Sequence, residues 1–123
     1  MSQDIVADAL NQIMNMKKAK KKQIVINSTS KFLLKILDVI KELVYIDYKT
    51  KEKQVIVEIK KLNYCSAIKP RYNVSADEIE KYVRRFLPAK DFGYLIISTS
   101  KGLMTHEEAI EKNIGGSLIA YVY

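Results

Sequence analysis

The chain has 123 residues, 48% apolar and 28% charged, with 4 Gly and 2 Pro, which excludes a disordered or collagen-like polymer and fits one domain or two small lobes. One cysteine, Cys65, and one histidine, His106, are too few for a closed structural zinc site, and no run approaches the roughly 20 apolar residues of a membrane span. Twenty-one basic against 14 acidic residues give a formal charge of +7, which points to a polyanionic partner, nucleic acid first.

The first ten residues carry two acids and no basic leader, so no secretory signal is expected. Residues 3–17 are predicted as an amphipathic helix, with Val6, Leu10, Ile13 and Met14 at helical spacing. Lys17, Lys18, Lys20, Lys21 and Lys22 follow. They suit a helix C-terminus and equally a phosphate-binding cluster. Gln23–Ile26 is predicted as a short strand. The tetrapeptide Ser28-Thr29-Ser30-Lys31 then opens a helix whose wide apolar face runs from Phe32 to Leu43, and Ser28 or Ser30 is its expected N-cap. Val44–Tyr48 and Gln54–Ile59 read as a hairpin with the charged turn Lys49–Lys53. Residues 1–62 thus form an α-β-α-β-β lobe holding thirteen basic and seven acidic residues, while residues 63–123 hold eight and seven.

In the second lobe Ala67–Val74 is expected to be extended, with Pro70 confining it to an edge or an end. Ser75–Glu78 is a capping box before a helix bearing Ile79, Tyr82, Val83 and Phe86, which Leu87-Pro88 stops. Tyr94–Ile97 is a short apolar strand. Thr105–Glu108 is a second capping box opening a brief helix, and Ser117–Tyr123 closes the chain as a strand after Gly115-Gly116. The fold class is α+β: two small lobes, the second mostly antiparallel β with short helices.

The tetrapeptide recurs at Ser98-Thr99-Ser100-Lys101. Here the hydroxyls follow a strand, and Thr105 already caps the next helix, so Ser98, Thr99 and Ser100 are expected to line an exposed loop. Hydroxyls donate and accept at once, which suits ribose hydroxyls, phosphate oxygens and base edges, and Gly102 would let a bulky partner approach the backbone. An ordinary polar turn with local side-chain bonds explains the same residues. The tetrapeptide also fits S-x-x-K, the nucleophile motif of penicillin-binding enzymes, but that chemistry needs serine and lysine one helical turn apart, and neither S-D-N nor K-T-G occurs. Cys65 with His106 could form a nucleophile–base pair; a half-buried thiol and a surface imidazole are the plainer reading. Gly115-Gly116 allows a tight turn or a close backbone approach. Arg71, between Pro70 and Tyr72, offers a cation beside an aromatic ring, useful to a nucleic-acid strand or to an edge-strand end.

Taken together, "DIVADALNQIMN", "SKFLLKILDVIKE", "CSAIKPRY", "FLPAKDFGYLIISTSKGLMTHEEA" and "IGGSLIAYVY" span nearly the whole chain in order. In these stretches the chain resembles the small-subunit ribosomal protein eight family in its archaeal and eukaryotic form. The resemblance implies a non-enzymatic, cofactor-free component of the cytoplasmic ribosome, with no membrane and no small-molecule substrate. It would bind the central domain of small-subunit rRNA, support subunit assembly and sit among neighbouring small-subunit proteins. Some family members also bind mRNA as translational regulators, and a generic basic RNA-binding module is the alternative function. The implied RNA contacts are Ser98, Thr99, Ser100, Lys101, Gly102, Gly115 and Gly116, with Arg71, Asn15, Lys18 and Lys31 as further candidates, and no catalytic or metal residue. Four positions depart from the family's usual residues. Asn113 replaces a glycine and can keep a left-handed helix end. Val44 replaces another, and its β-branch predicts a different helix end. Ser117 stands where a charge is usual, and Met14 where arginine is.

Overall fold

Lys17 to Lys22 do both things expected of a helix end: the helix stops there, and Lys18, Lys20, Lys21 and Lys22 stay in solvent. In the computed structural model, which describes residues 5–27, 30–52, 54–68, 71–89 and 92–123, helix α1 spans Ile5–Lys18 and buries Val6, Ala9, Leu10 and Ile13 along one stripe. Its predicted start at residue 3 lies outside the described residues. Strand β1 follows at Gln23–Ile26 and helix α2 at Lys31–Glu42. Ser30 is the N-cap of α2, its hydroxyl accepting from the Leu33 amide at 3.1 Å, while Ser28 lies outside the described residues. Strands β2 (Ile46–Lys51) and β3 (Gln54–Ile59) complete the first unit, Met1–Cys65. The sheet order is β1-β3-β2, antiparallel throughout; α1 packs on β1 and β3, and α2 on β2. Leu10, Leu33, Ile36, Leu37, Val55 and Val57 are fully buried between helices and sheet, and side chains of this kind each contribute roughly 1.5–3 kcal/mol by leaving water.

Two expectations are corrected in this unit. The charged turn is shorter than Lys49–Lys53, because Lys49 and Lys51 belong to β2, paired with Ile56 and Gln54. Val44 is not in a strand. It sits at φ 66°, its amide donating to Lys41 O at 2.9 Å while Tyr45 N reaches Ile40 O at 3.4 Å. That bond pair is a Schellman ending, so the helix closes as though glycine were present, and the β-branch is strained rather than avoided. Lys20 (φ 62°) ends α1 the same way, through Lys17 O and Met16 O. Asn113 (φ 55°) ends the last helix through Ile110 O and Ala109 O, as expected of asparagine.

The second unit, Ser66–Tyr123, is built on a five-stranded sheet. The stretch expected to be extended holds two short strands, β4 (Cys65–Ala67) and β5 (Asn73–Val74); Pro70 lies outside the described residues. A 3₁₀ turn, Ala76–Glu78, leads into α3 (Ile79–Phe86), and Glu78 closes the capping box by accepting from the Ser75 amide and hydroxyl, both at 3.1 Å. Those donors hold the Glu78 carboxyl below its usual range. Strand β6 runs Tyr94–Thr99, two residues beyond its predicted end at Ile97. Strand β7 (Gly102–Thr105), read in the sequence as loop, pairs back on it. Helix α4 (His106–Glu111) and strand β8 (Gly116–Val122) follow, β8 starting one residue before its predicted Ser117. The order is β4-β8-β6-β7, with β5 also paired to β8, and a bulge interrupts β6–β8 between Ile96 and Ile97. Ile68, Val74, Ile79, Val83, Leu95, Ile97 and Leu118 are among the buried residues of one core beneath the helices. No described helix is long and apolar enough to cross a membrane.

Candidate RNA interface

The continuous apolar run Leu95-Ile96-Ile97 anchors β6 in the core, Ser98 and Thr99 carry it out of the core, and the chain reverses at Ser100-Lys101. Thr99 pairs with Gly102 and Ser98 with Leu103, so the expected loop is the tip of a hairpin. Neither Ser100 nor Lys101 takes a positive φ. Gly102 does, at 109°, and closes the turn where a side chain would be strained although the space around it is open. Thr99 locks the reversal: its hydroxyl donates to Gly102 O at 2.8 Å and accepts from Lys101 N at 3.1 Å. The local-bond reading of this segment therefore holds for Thr99. Ser98 is half-buried and Ser100 and Lys101 are exposed, so the tip offers hydroxyls and a cation on a braced turn.

The glycine pair supports this tip from behind. A Cβ on Gly116 would overlap the Ser98 carbonyl oxygen and stand 3.0 Å from Ile97 Cγ2; one on Gly115 would overlap Val74 O and stand 2.8 Å from Ser75 Cα. The close backbone approach that these glycines permit is thus to the chain's own β5 and β6. Ser117 pairs with Ser98 on one side and Asn73 on the other, and its hydroxyl donates to Asn73 Oδ1 at 2.6 Å. Arg71 is exposed two residues before Asn73. The strand registers thus align Asn73, Ser117, Ser98 and Leu103 across one end of the sheet, next to the tip. Asn73 was not among the sequence candidates. A two-residue strand has no periodicity to betray it, and its link to Ser117 exists only through register.

Asn15, Lys18 and Lys31 belong to the other unit. Asn15 and Lys18 are exposed on the last turns of α1, and Lys31 is exposed at the first residue of α2. Lys20, Lys21 and Lys22 are exposed after α1, where cations also face the negative end of the helix. Met14 keeps its sulfur inside, accepting the Cys65 amide at 3.3 Å. This gives the replacement of arginine a packing role.

The nucleophile candidates come out otherwise than expected. Cys65 is fully rather than half buried; its thiol donates weakly to Leu10 O at 3.8 Å, and burial pushes it up to about 12. His106 is buried rather than on the surface. Its Nδ1 accepts the Leu95 amide at 3.1 Å, which ties the ring to β6. Ser98 lies on β6 and Lys101 in the turn of the hairpin, not on a helix, so the S-x-x-K geometry is absent from this copy. Among the described residues no three His, Cys, Asp or Glu side chains gather as a metal site.

Comparison with known proteins fits this architecture. The family described as ribosomal protein S8 matches residues 4–123. The small ribosomal subunit proteins uS8A of Saccharomyces cerevisiae and uS8 of Eremothecium gossypii are 42% and 41% identical over 125 residues, covering 97% of this chain and 96% of theirs. The uS8 protein of Neurospora crassa is 40% identical over 127 residues with the same coverage. These relatives are fungal, on the eukaryotic side of the resemblance. The hairpin tip, the glycine pair and the terminal strand sit inside a match that spans both units, and the chain belongs to the ribosomal protein S8 family.

Proposed function

We propose that the chain is a structural, non-enzymatic component of the small subunit of the cytoplasmic ribosome that binds the central domain of its rRNA and supports assembly. Its relatives are named small-subunit proteins. The observation that carries the RNA reading is the hairpin tip, in which Thr99 fixes the turn internally and leaves Ser100 and Lys101 exposed. A rigid hydroxyl-bearing tip reads a folded RNA through 2′-hydroxyls, phosphates and base edges without ordering itself at the moment of binding. The lysines after α1 add sequence-blind attraction, and the tip adds selection, since phosphate contacts position a protein while base and ribose contacts specify its site. An mRNA presenting the same shape would be bound by the same surface.

The test compares a central-domain rRNA fragment with random RNA of equal length at matched salt. Ser100→Ala is expected to weaken the rRNA complex selectively, by about 1–3 kcal/mol if a buried partner is left unpaired. Replacing Lys20, Lys21 and Lys22 with glutamine should weaken both complexes and flatten the salt dependence by about 0.7–0.9 in slope for each phosphate no longer neutralised. Equal affinity for rRNA and random RNA refutes the reading. Loss of discrimination in the lysine variant, with discrimination intact in Ser100→Ala, refutes the division of labour.

A further inference from the structure

The helical layer of the second unit has the wrong sign for RNA. Asp77, Glu78, Glu80, Glu107, Glu108 and Glu111 are all exposed on the 3₁₀ turn, α3 and α4, in a chain whose net charge is +7. The cations of α3 are divided between its faces. Arg85 lies over the rings of Tyr72 and Phe86, each at 5.4 Å, and Lys81 over Tyr82 at 5.8 Å, so both belong to the aromatic side of the helix. The opposite stripe, Glu80, Val83, Arg84 and Leu87, faces α4 and lines a cavity of about 530 Å³. Glu107 and Ile110 line it from α4, and Ile110 is 38% exposed there. Among the described residues of that lining, Arg84 is the single lysine or arginine, against the carboxylates of Glu80 and Glu107.

An apolar cleft of this size is in the range that buries a ligand or an inserted side chain. Its acidic rim repels phosphates and attracts ammonium and guanidinium groups. We propose that the cleft between α3 and α4 receives a lysine- or arginine-rich segment of a neighbouring small-subunit protein. One apolar side chain of that segment enters between Val83, Leu87 and Ile110, and its basic residues meet Glu80 and Glu107. The proposal rests on the small-subunit reading above, but it uses none of the surface assigned to RNA.

The test places a photocrosslinker in the full-length chain, as Ile110→p-benzoylphenylalanine, in assembled small subunits, and sequences the crosslinked product. The expected product is one protein segment carrying net positive charge. Adding Glu80→Lys and Glu107→Lys should cut its yield by about tenfold or more, because like charges would then face each other, while rRNA-fragment affinity does not fall. All three positions are exposed, and the urea midpoint of each variant verifies its fold. A crosslink to rRNA, a crosslink to an acidic or neutral segment, an unchanged yield after charge reversal, or no protein crosslink in subunits that contain the chain overturns the proposal alone. Failure of the parent chain to enter subunits and to bind the rRNA fragment overturns the small-subunit reading and this proposal with it.

Discussion

Gly116→Ala is the sharpest probe of how the sheet carries the hairpin tip. At a residue with ordinary negative φ, glycine to alanine normally stabilises a protein by about 0.4–1 kcal/mol, because the unfolded chain loses freedom. Gly116 is not among the residues with positive φ, so that gain is available to it. Against it stands the new methyl, which would overlap the Ser98 carbonyl oxygen and meet Ile97 Cγ2 and the Ser98 carbonyl carbon at 3.0 Å. Carbon–carbon contacts relax near 3.5–4.0 Å, so β8 must withdraw from β6 by about 0.5–1 Å, since the Ser98 carbonyl is backbone and cannot rotate away. Overpacking of this kind costs about 1–3 kcal/mol, which set against the entropic gain leaves a net loss of up to about 2.6 kcal/mol. Urea unfolding followed by circular dichroism measures that loss. Amide shifts should concentrate at Ser98–Gly102 and at Asn73–Val74, the strands that meet β8 here. In the folded fraction, affinity for the rRNA fragment should fall, because Ser98 supports the tip. If Gly116→Ala is as stable as the parent or more so, and binds RNA equally, then β8 does not press on β6 and the tip is not held from behind.

Four further outcomes follow from the same geometry. Val44→Gly relieves a left-handed β-branched residue that is 57% exposed and costs about 1–2 kcal/mol; after the added entropy of an unfolded glycine, it should stabilise by about 0.5–1 kcal/mol, raising the unfolding midpoint where Val44→Ala changes it less. Cys65 should resist iodoacetamide at pH 8 and react only as urea opens the first unit, since the reagent needs the thiolate and burial holds the thiol up to about 12. The same burial makes stability fall in alkali. Between its ordinary value near 9 and about 12 the unfolded state gives up the proton that the folded state keeps, so stability present below pH 9 falls by up to about 1.4 kcal/mol per pH unit above it, and Cys65→Ala should flatten that alkaline slope. Finally, Gly102→Ala should destabilise modestly despite the open space around it, because only its φ of 109° is at stake, and Gly102→Asn should recover part of the loss in the same urea titration.

What could be read from the sequence was whatever repeats along it. Leu10, Ile13, Leu37 and Ile40 advertise two helices by period. Val55 and Val57 advertise a strand, and Ser75 with Glu78 advertises a helix start; all sit where their pattern put them. Strand β7 did not show itself, because Gly102–Thr105 is four residues long, begins with a glycine that suggests a break, and ends in a helix cap. Lys49 and Lys51 looked like a turn because charge is common in turns, yet they lie on the exposed end of a strand fixed by its partner β3. His106 looked like a surface residue at the start of an acidic helix. It is buried because the helix lies on β6 and the Leu95 amide needs its ring nitrogen. At the candidate interface the serines and Gly102 were legible as chemistry, but the brace was not. That Thr99 spends its hydroxyl on the turn, and that Ser117 reaches Asn73, depends on pairing between segments far apart in the chain.

The chain's four glycines show where conformational freedom is indispensable. All lie in the second unit, and three of them surround the tip: Gly102 in the turn, Gly115 and Gly116 where β8 meets β5 and β6. The three helices that end in a left-handed residue use Lys20, Val44 and Asn113 instead. An exposed helix end tolerates such a residue at a cost of about 1–2 kcal/mol, because nothing packed beside it has to move. A backbone pressed against another backbone has no such latitude, since the added carbon meets a carbonyl held in a strand ladder. Strain at Val44 is therefore a loss of stability that leaves the interface untouched. A side chain at Gly116 moves the strand beneath Ser98, so the two positions separate by assay: substitution at Val44 should change unfolding without changing RNA selectivity, and substitution at Gly116 should change both.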